Sequence, residues 1–326
     1  MRSLMMVLIT GLLLALVSCD KKDASSPSGG GQSSQLRIAV IPKGTTHEFW
    51  KSVHAGADKA GQELGVQILW KGPLQENDRA QQIQIVEQLI SDNYSALCLA
   101  PLDDKALIKP VQEAAGKKIP VIIFDSGLKG DVGKDFASFV ATDNHKGGTI
   151  AGTEMVRILG GKGKVILLRY QEGSASTAER EDGFLEIIKQ NPGIQLISDN
   201  RYAGATVDTA LTASMNMIDQ LRQADAVFCP NESATVGMLN ALTQAGLAGK
   251  LKVVGFDASQ SMIKSMEKGD LQATVIQNPV KMGYLAVKTA VAVIKGQPVE
   301  QRIDTGVSLV TKDNLNSPDI QAMLGR

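Results

Sequence analysis

The sequence has few cysteines, few aromatic residues and no net charge. Its 326 residues include three cysteines, 4% aromatic residues, and 34 basic residues against 34 acidic ones. Three cysteines cannot form a disulfide scaffold, and a balanced charge argues against a nucleic-acid binder that relies on a broad basic surface. With 43% hydrophobic residues the chain can still build cores, and its length predicts two domains. We therefore expect a folded protein with no nucleic-acid partner.

The sequence also lacks the motifs of several enzyme classes. It contains no H-E-x-x-H, no G-x-S-x-G and no C-x-x-C motif. Residues 261–264 fit S-x-x-K, but the companion K-T-G motif is missing, so we attribute this match to chance. The glycine-rich residues 160–164 precede a predicted strand, whereas a phosphate-binding loop follows one. We expect no catalytic residue, no metal site and no cofactor.

The first 35 residues are predicted to direct export and not to fold. Residues 4–17 form an apolar run that is short for a transmembrane helix and typical of a signal peptide over residues 1–18. The following cysteine completes a sequence, Leu16-Val17-Ser18-Cys19, that resembles the lipobox of bacterial lipoproteins. This resemblance implies that Cys19 is lipidated and anchors the protein to a membrane through a flexible Ser/Gly-rich tether at residues 19–35. The alternative is an ordinary secretory signal that happens to contain a cysteine.

From residue 36 onward, short apolar runs alternate with longer amphipathic stretches. In residues 78–92, for example, Ile83, Val86, Leu89 and Ile90 recur at helical spacing. Continuously apolar strands that alternate with helices predict parallel sheets covered on both faces, in a doubly wound, Rossmann-like layout. The predicted strands lie at residues 37–41, 66–70, 96–100, 121–124, 165–168, 194–198, 226–229, 253–256 and 273–276.

The same strand motif occurs twice, which predicts two α/β domains of like topology. One apolar run ends at Phe124 and is followed by Asp125, and another ends at Phe256 and is followed by Asp257. Upstream of each, a strand ends in proline, after which come acidic residues and a predicted helix. In parallel sheets the ligand crevice lies beyond the carboxyl ends of the strands. We therefore expect Asp125, Asp257 and Asn231 to face one shared cleft between the domains.

Seven motifs between residues 37 and about 311 resemble, in order, those of the ribose/galactose-type periplasmic solute-binding proteins, which have the type I periplasmic binding protein fold. Each motif is weak alone, but seven in the right order form a specific signal. The motifs are Phe49-Trp50-Lys51-Ser52 with Gly56-Ala57, Ile119-Pro120-Val121-Ile122 with Asp125, Asp143-Asn144 with Gly147-Gly148 and Ala151-Gly152, Arg180 with Gly183-Phe184, Val227-Phe228 with Asn231 and Gly237, Val254-Gly255-Phe256-Asp257, and Ala273-Thr274-Val275 with Gln277 and Gly283.

The resemblance implies two similar doubly wound α/β domains with parallel sheets, joined by a hinge of three chain crossings near residues 141–144, 277–279 and 305–307. The N-terminal domain would comprise residues 36–141 plus 278–305, and the C-terminal domain residues 142–277 plus 306–326.

In function, the resemblance implies a monomer that closes over a monosaccharide or related polyol and delivers it to an ABC permease. Two alternatives stay open. One is a sugar sensor subunit for a chemoreceptor or histidine kinase. The other is a glycosidase-like enzyme in which Asp125 and Asp257 form an acid/base pair.

The resemblance also assigns eight ligand-binding residues, and their chemistry suits a sugar. Carboxylates, amides and arginine hydrogen-bond to hydroxyl groups, while aromatic rings cover the C–H faces of a sugar. The polar residues that match the family are Asp125, Arg180, Asn231, Asp257 and Gln277. The aromatic residues are Phe49 and Trp50, and His47 is a further polar candidate that could equally be a loop histidine.

Structural roles are the alternative for several of these residues. The two aspartates could cap helices, Asn231 could serve a turn and Gln277 could serve the hinge. Arg180 lies early in a predicted helix, where a cation opposes the helix dipole, and this misfit favours a functional role. Phe49 and Trp50 are adjacent, so we expect one of them to belong to the core.

Two positions depart from the ribose-type pattern. Ser126 stands where ribose binders commonly have an arginine after the first aspartate, and Ala100 stands where they have an asparagine after the third strand. Two hydrogen-bonding groups are therefore missing. This difference argues against ribose itself and favours a different or bulkier sugar, or a sugar-like polyol.

Overall fold

A computed structural model of the chain describes residues 35–324. The predicted signal peptide, Cys19 and all but the last residue of the predicted tether lie outside this range. The strands are β1 (Arg37–Ile41), β2 (Gln67–Trp70), β3 (Ala96–Leu99), β4 (Val121–Phe124), β5 (Ser138–Ala141), β6 (Gly163–Arg169), β7 (Ile194–Tyr202), β8 (Ala226–Phe228), β9 (Lys252–Phe256), β10 (Ala273–Gln277), β11 (Arg302–Asp304) and β12 (Val307–Thr311). The helices are α1 (Glu48–Leu64), α2 (Arg79–Ser91), α3 (Ile108–Gly116), α4 (Asn144–Ile158), α5 (Ala175–Gln190), α6 (Val207–Asn216), α7 (Ile218–Leu221), α8 (Glu232–Gln244), α9 (Gln260–Lys268), α10 (Pro279–Ile294) and α11 (Pro318–Met323).

The strands form two six-stranded sheets of matching order. The first sheet runs β11-β5-β4-β3-β1-β2 and the second runs β12-β10-β9-β8-β6-β7. Neighbouring strands pair in parallel, except that β12 is antiparallel to β10. The prediction of two similar doubly wound α/β domains is confirmed, with this one antiparallel edge strand as a correction. We call the parts built on the two sheets the first and the second domain.

Hydrophobic cores lie on both faces of each sheet, which explains why the strands are continuously apolar. In β1, Ile38 and Val40 pack with residues of α1 and α10, whereas Ala39 and Ile41 pack on the opposite face with residues of α2. Successive strand side chains point to opposite faces of a sheet. A strand therefore needs an apolar residue at every position only when both faces are covered.

The chain passes between the two sheets three times. It leaves the first sheet after β5 and continues into α4, which packs on β9, β10 and β12 of the second sheet. It returns after β10 into α10, which packs on β3, β4 and β5. The last passage lies between β11, which pairs with β5, and β12, which pairs with β10.

The apolar-run criterion missed three strands, β5, β11 and β12. β12 is an edge strand that carries the polar Ser308 and Thr311, and most of its residues are half-buried. β11 has only three residues and β5 begins with Ser138. β11 and β12 are edge strands, which do not need continuous apolar runs, and Ser138 interrupts the apolar run of the interior strand β5.

Glycines form the closest helix contacts in both domains. A Cβ atom added to Gly56 of α1 would lie 2.0 Å from the carbonyl oxygen of Val280 in α10. In the second domain, a Cβ atom added to Gly148 of α4 would lie 2.0 Å from the carbonyl oxygen of Arg180 in α5. Several glycines of the sequence motifs are thus explained by backbone-to-backbone packing of helices.

Gly56→Ala is expected to destabilise the protein, although alanine is normally the better helix former by about 1 kcal/mol. The added methyl group has no room against Val280, and overpacking of this kind costs roughly 1–3 kcal/mol. Denaturant unfolding measures the change. Gly116→Ala is the matched control, because no atom lies within 4 Å of a Cβ at that helical glycine. Equal stability of the two variants would contradict this reading of the helix contact.

Candidate functional site

A cavity between the two domains brings all eight predicted site residues together. It lies at the carboxyl ends of the strands and is lined by side chains of both domains. The predicted residues that line it are His47, Phe49, Trp50, Asp125, Arg180, Asn231, Asp257 and Gln277. Sequence reasoning missed five further lining residues, which are Lys43, Glu76, Ser176, Thr177 and Glu232.

Asp125 and Asp257 occupy equivalent positions in the two domains. Each follows the last residue of a central strand, and each has a positive φ, of 61° and 68° respectively. The left-handed conformation is uncommon for residues other than glycine, though aspartate tolerates it better than most. The alternative that Asp257 caps the next helix is wrong, because the Ser259 side chain caps α9. Both aspartates share this left-handed backbone conformation, and both line the cavity.

Asp257 is the centre of a hydrogen-bonded network in the second domain. Its Oδ1 accepts from Gln277 Nε2 at 2.7 Å, and its Oδ2 accepts from the backbone N–H of Glu232 at 3.0 Å. The Arg180 Nη1 atom lies 3.9 Å from Oδ2. Burial raises the pKa of Asp257 above its usual value, while Arg180 and Gln277 oppose this rise.

Arg180 is held on every side by second-domain groups. Its Nε donates to Asn144 Oδ1 at 2.9 Å, its Nη1 donates to the Pro230 carbonyl at 3.0 Å, and its guanidinium lies 3.9 Å above the ring of Phe256. The side chain is buried, which differs from a solvated charge near a helix start. These contacts fix the guanidinium plane at the cavity wall.

Asn231 has a structural role as well as a place in the cavity. It is the N-cap of α8, where its Oδ1 accepts from the backbone N–H of Ala234 at 3.2 Å. Its Nδ2 donates to Ser233 Oγ at 3.1 Å. The alternative of a local structural role therefore holds for Asn231, which also lines the cavity.

Two buried acceptor atoms at the cavity have no hydrogen-bond donor among the described residues. They are Asp125 Oδ2 and Gln277 Oε1. Lys43 Nζ lies 3.1 Å from Asp125 Oδ2 and provides a charge contact there. Leaving a buried acceptor unpaired costs about 1–3 kcal/mol. This cost applies to Gln277 Oε1, whereas Asp125 Oδ2 is paired with the charge of Lys43 and keeps a further lone pair for a donor. Both atoms can therefore accept from a bound molecule that brings hydroxyl or N–H donors.

Lys43 is the charged group beside Asp125 that sequence reasoning missed. It lies two residues after the end of β1, is buried, and donates from Nζ to Ser176 Oγ at 2.9 Å. The rule that site residues follow the carboxyl ends of parallel strands could have found it. Lys43 thus provides a cation in a cavity where Ser126 carries none.

Phe49 and Trp50 both line the cavity, and the expectation that one of them belongs to the core is met by Trp50, which is buried in the first-domain core. Their rings meet edge to face with centroids 4.9 Å apart. Trp50 also packs edge to face on Phe124 of the first-domain core, at 6.3 Å. In this edge-to-face arrangement, both rings reach the same side of the cavity.

His47 forms a buried ion pair with Glu76. The His47 Nδ1 atom lies 2.8 Å from Glu76 Oε1. Burial opposes the charge of His47, but Glu76, with help from Glu232 and Asp257, raises its pKa to about 9. Burial also opposes the charge of Glu76, yet His47 and Lys43 lower its pKa to about 2. The imidazole is therefore protonated at neutral pH and acts as a donor on both nitrogens.

Direct hydrogen bonds join the two domains around the cavity. Tyr170 OH of the second domain donates to Glu76 Oε2 at 2.8 Å, and the Ser176 backbone N–H donates to Ser126 Oγ at 3.1 Å. The Glu232 carboxylate accepts from the backbone N–H groups of Glu48 and Phe49 at 3.2 and 3.1 Å. These bonds describe a closed arrangement in which the domains contact one another across the cleft.

The basic groups of the cavity all have acidic neighbours. Lys43 lies beside Asp125, His47 beside Glu76 and Arg180 beside Asp257. Among residues 35–324, no group of three or more His, Cys, Asp or Glu side chains could hold a metal ion. Within the same range, no helix is both long and apolar enough to span a membrane.

Comparison with known proteins agrees with this geometry. Residues 38–298 match the family model described as "Periplasmic binding protein domain". The ribose import binding protein RbsB of Bacillus subtilis is 28% identical over 96% of this chain and 100% of its own. A carbohydrate transporter solute-binding protein from Agrobacterium radiobacter, solved with D-arabinose, is 36% identical with a TM-score of 0.84, covering 89% of this chain and 99% of its own. A solute-binding protein from Agrobacterium vitis with bound D-fucose is also 36% identical, with a TM-score of 0.84, covering 87% and 98%.

These matches extend over the strands, the crossings and the cavity described above. They confirm the resemblance indicated by the seven sequence motifs. The chain belongs to the periplasmic binding protein family, as a type I member of the ribose-like sugar-binding group.

Proposed function

We propose that this protein captures a monosaccharide or a sugar-like polyol in the cavity between its domains and delivers it to an ABC importer. The observation that carries the proposal is a pair of buried acceptors, Gln277 Oε1, which has no donor among the described residues, and Asp125 Oδ2, whose close contact is the charge of Lys43. They belong to different sheets, so one ligand that donates to both would hold the two domains together. A polyhydroxylated molecule supplies such donors in several directions at once.

The pairing of charges in the cavity favours an uncharged ligand. The three basic side chains of the lining already face carboxylates within 4 Å. A ligand carboxylate or phosphate would have to compete with these buried partners, which is costly in a site with little water. The edge-to-face pair of Phe49 and Trp50 adds an apolar wall for the C–H groups of a sugar.

The ligands of relatives support a sugar. Proteins similar to this chain have names or bound molecules that include ribose, D-arabinose and D-fucose. Ser126 and Ala100 stand where the ribose pattern has arginine and asparagine, and Ser126 Oγ accepts a hydrogen bond across the cleft from the Ser176 backbone N–H. We therefore favour a sugar other than ribose.

The location and the partner of the protein are proposed from the family and from the N-terminal sequence. We propose an exported monomer, held at a membrane through lipid on Cys19 and read by a permease in its closed form. Family members are binding proteins, and we propose no catalysis for the Asp125 and Asp257 pair. The eight residues predicted from the sequence, together with Lys43, are the proposed ligand contacts.

Calorimetric titration with a panel of neutral aldoses, ketoses and polyols tests the function. We expect saturable binding of at least one member, and mass spectrometry of the protein purified without added sugar should identify a ligand carried from the host. A panel of sugar acids and sugar phosphates is the matched comparison and is expected to bind weakly. Tight binding of a sugar acid, with none of a neutral sugar, would contradict the proposal.

A further inference from the structure

The carboxylate of Glu76 accepts hydrogen bonds from three different side chains at the cavity. Its Oε1 accepts from Trp50 Nε1 at 2.7 Å and lies 2.8 Å from His47 Nδ1. Its Oε2 accepts from Tyr170 OH at 2.8 Å. Glu76 is 6% exposed and lies in the loop between β2 and α2, far from any strand-end motif. A carboxylate this deeply buried needs several donors to stay ionised.

Two of these donors belong to the first domain and line the cavity beside Glu76. An indole has a single N–H donor, so the bond to Glu76 fixes the direction of the Trp50 ring. The bond through Nδ1 likewise fixes the His47 ring and leaves its Nε2–H free to donate. Since His47, Trp50 and Glu76 all lie in the first domain, these two contacts do not require the second domain.

The third donor comes from the second domain and depends on closure. Tyr170 is fully buried, and burial together with Glu76 raises the pKa of its hydroxyl well above the usual value. The hydroxyl therefore stays protonated and remains a donor. The neighbouring Gln171 adds a second bond across the cleft, from Nε2 to the backbone carbonyl of Glu76 at 2.7 Å.

We propose that Glu76 is the positioning residue of the cavity, which orients the His47 imidazole and the Trp50 indole toward the ligand and receives the Tyr170 hydroxyl when the domains close. This inference rests on the proposed function as a sugar-binding protein. Glu76 would thus have two roles. It fixes the His47 and Trp50 side chains that line the first-domain side of the cavity, and it accepts the Tyr170 hydrogen bond in the closed form. Glu76 itself acts through the residues that it holds.

The first experiment separates the charge of Glu76 from its shape. Glu76→Gln keeps an acceptor for Trp50 but removes the negative charge beside His47. In a background carrying His54→Gln and His145→Gln, His47 is the single histidine of the chain, so its titration can be followed by NMR without overlap. His47 also faces Glu232 and Asp257, which are unchanged in this variant. We expect the pKa of His47, which is about 9 in the closed arrangement, to be lower by at least one unit in Glu76→Gln than in the wild-type protein measured in the same state.

The second experiment tests closure alone. Tyr170→Phe removes only the hydroxyl that reaches Glu76, so it should leave the pKa of His47 in the sugar-free protein unchanged. We expect sugar affinity to fall roughly tenfold in Tyr170→Phe and by more than that in Glu76→Gln, since the latter also disturbs the ligand wall. Glu87→Gln is the matched control, because Glu87 is exposed on α2 and should change neither measurement.

The outcomes distinguish this inference from the proposed function. If the wild-type protein binds no member of the sugar panel, the proposed function fails, and the His47 titration still tests the orientation of the ring by Glu76. An unchanged His47 titration in Glu76→Gln would overturn the positioning role. Unchanged sugar affinity in Tyr170→Phe would overturn the role in closure. Thermal unfolding of each variant verifies that the fold is kept.

Discussion

Asp257→Asn should strongly weaken sugar binding. The substitution keeps the shape of the side chain, and asparagine tolerates the positive φ of 68° at this position. It removes the negative charge that faces the buried Arg180, and its single amide oxygen can accept from only one of the two donors, Gln277 Nε2 and the Glu232 backbone N–H. Asp257 also lines the cavity, and a ligand hydrogen bond to a charged acceptor contributes about 1.5–3 kcal/mol. We therefore expect Kd to rise by up to about a hundredfold, measured by calorimetry.

Asp182→Asn is the control for this variant. Asp182 lies on α5, two residues after Arg180, and is exposed, so its charge is solvated. We expect it to bind sugar like the wild-type protein. If Asp257→Asn is folded by circular dichroism and binds with unchanged affinity, Asp257 is not part of the ligand site.

Sugar affinity should decrease as pH rises from 5 to 8, because of Glu232. Its carboxylate accepts from two backbone N–H groups at the start of α1, where the N-cap residue His47 makes no side-chain cap. Burial raises the pKa of Glu232 from 4.5 to about 7, against the opposing effect of His47 and with a smaller contribution from Asp257. When the domains separate, we expect the carboxyl to meet water and regain its ordinary pKa.

Closing of the domains takes up a proton at Glu232, so low pH favours the closed, sugar-bound form. A carboxyl whose pKa is higher in the closed form favours closure at low pH, and this advantage is lost as pH rises from 4.5 through about 7. In the closed form His47 is protonated over this range, because its pKa there is about 9. The raised pKa of Glu232 in the closed form corresponds to a drop in sugar affinity of roughly 50-fold between pH 5 and pH 8.

Glu232→Gln should remove most of this pH dependence, because the side chain no longer titrates. Glu267→Gln is the matched control, since Glu267 is exposed on α9 of the same domain. Calorimetry of the three proteins at several pH values between 5 and 8 measures the effect. A wild-type profile that is flat, or one that Glu232→Gln leaves unchanged, would contradict the coupling of Glu232 to closure.

The fold and the core of the candidate site could be predicted from local sequence patterns. The strand that ends in Phe124-Asp125 and its copy that ends in Phe256-Asp257 showed two like domains and placed both aspartates at strand ends. Residues at the carboxyl ends of parallel strands share one edge of the sheet, so a one-dimensional rule was enough. Asp125, Asn231 and Asp257 line the cavity for this reason, whereas the other five predicted residues were assigned by the family resemblance.

Local patterns could not reveal the residues that act across long sequence separations. Glu76 lies in a loop without a motif, and its partner Tyr170 follows it by 94 positions. From the sequence, Glu232 is an ordinary acidic residue in the first turn of a helix. In the structure its carboxylate accepts from the backbone N–H of Phe49 at the start of α1, 183 residues away. These contacts depend on how the two domains approach one another, which no local pattern encodes.

The sequence by itself determined the architecture, the repeat and the polar residues of the strand ends, because these follow from the alternation of apolar strands and amphipathic helices. Only the tertiary structure decided how the cavity is charged and how it closes. The pKa of His47, the burial of Lys43 beside Asp125 and the capping of α1 by Glu232 all arise from desolvation and from close contacts between distant segments. Such electrostatic effects are strong only where water has been excluded, and that exclusion is a property of the assembled domains.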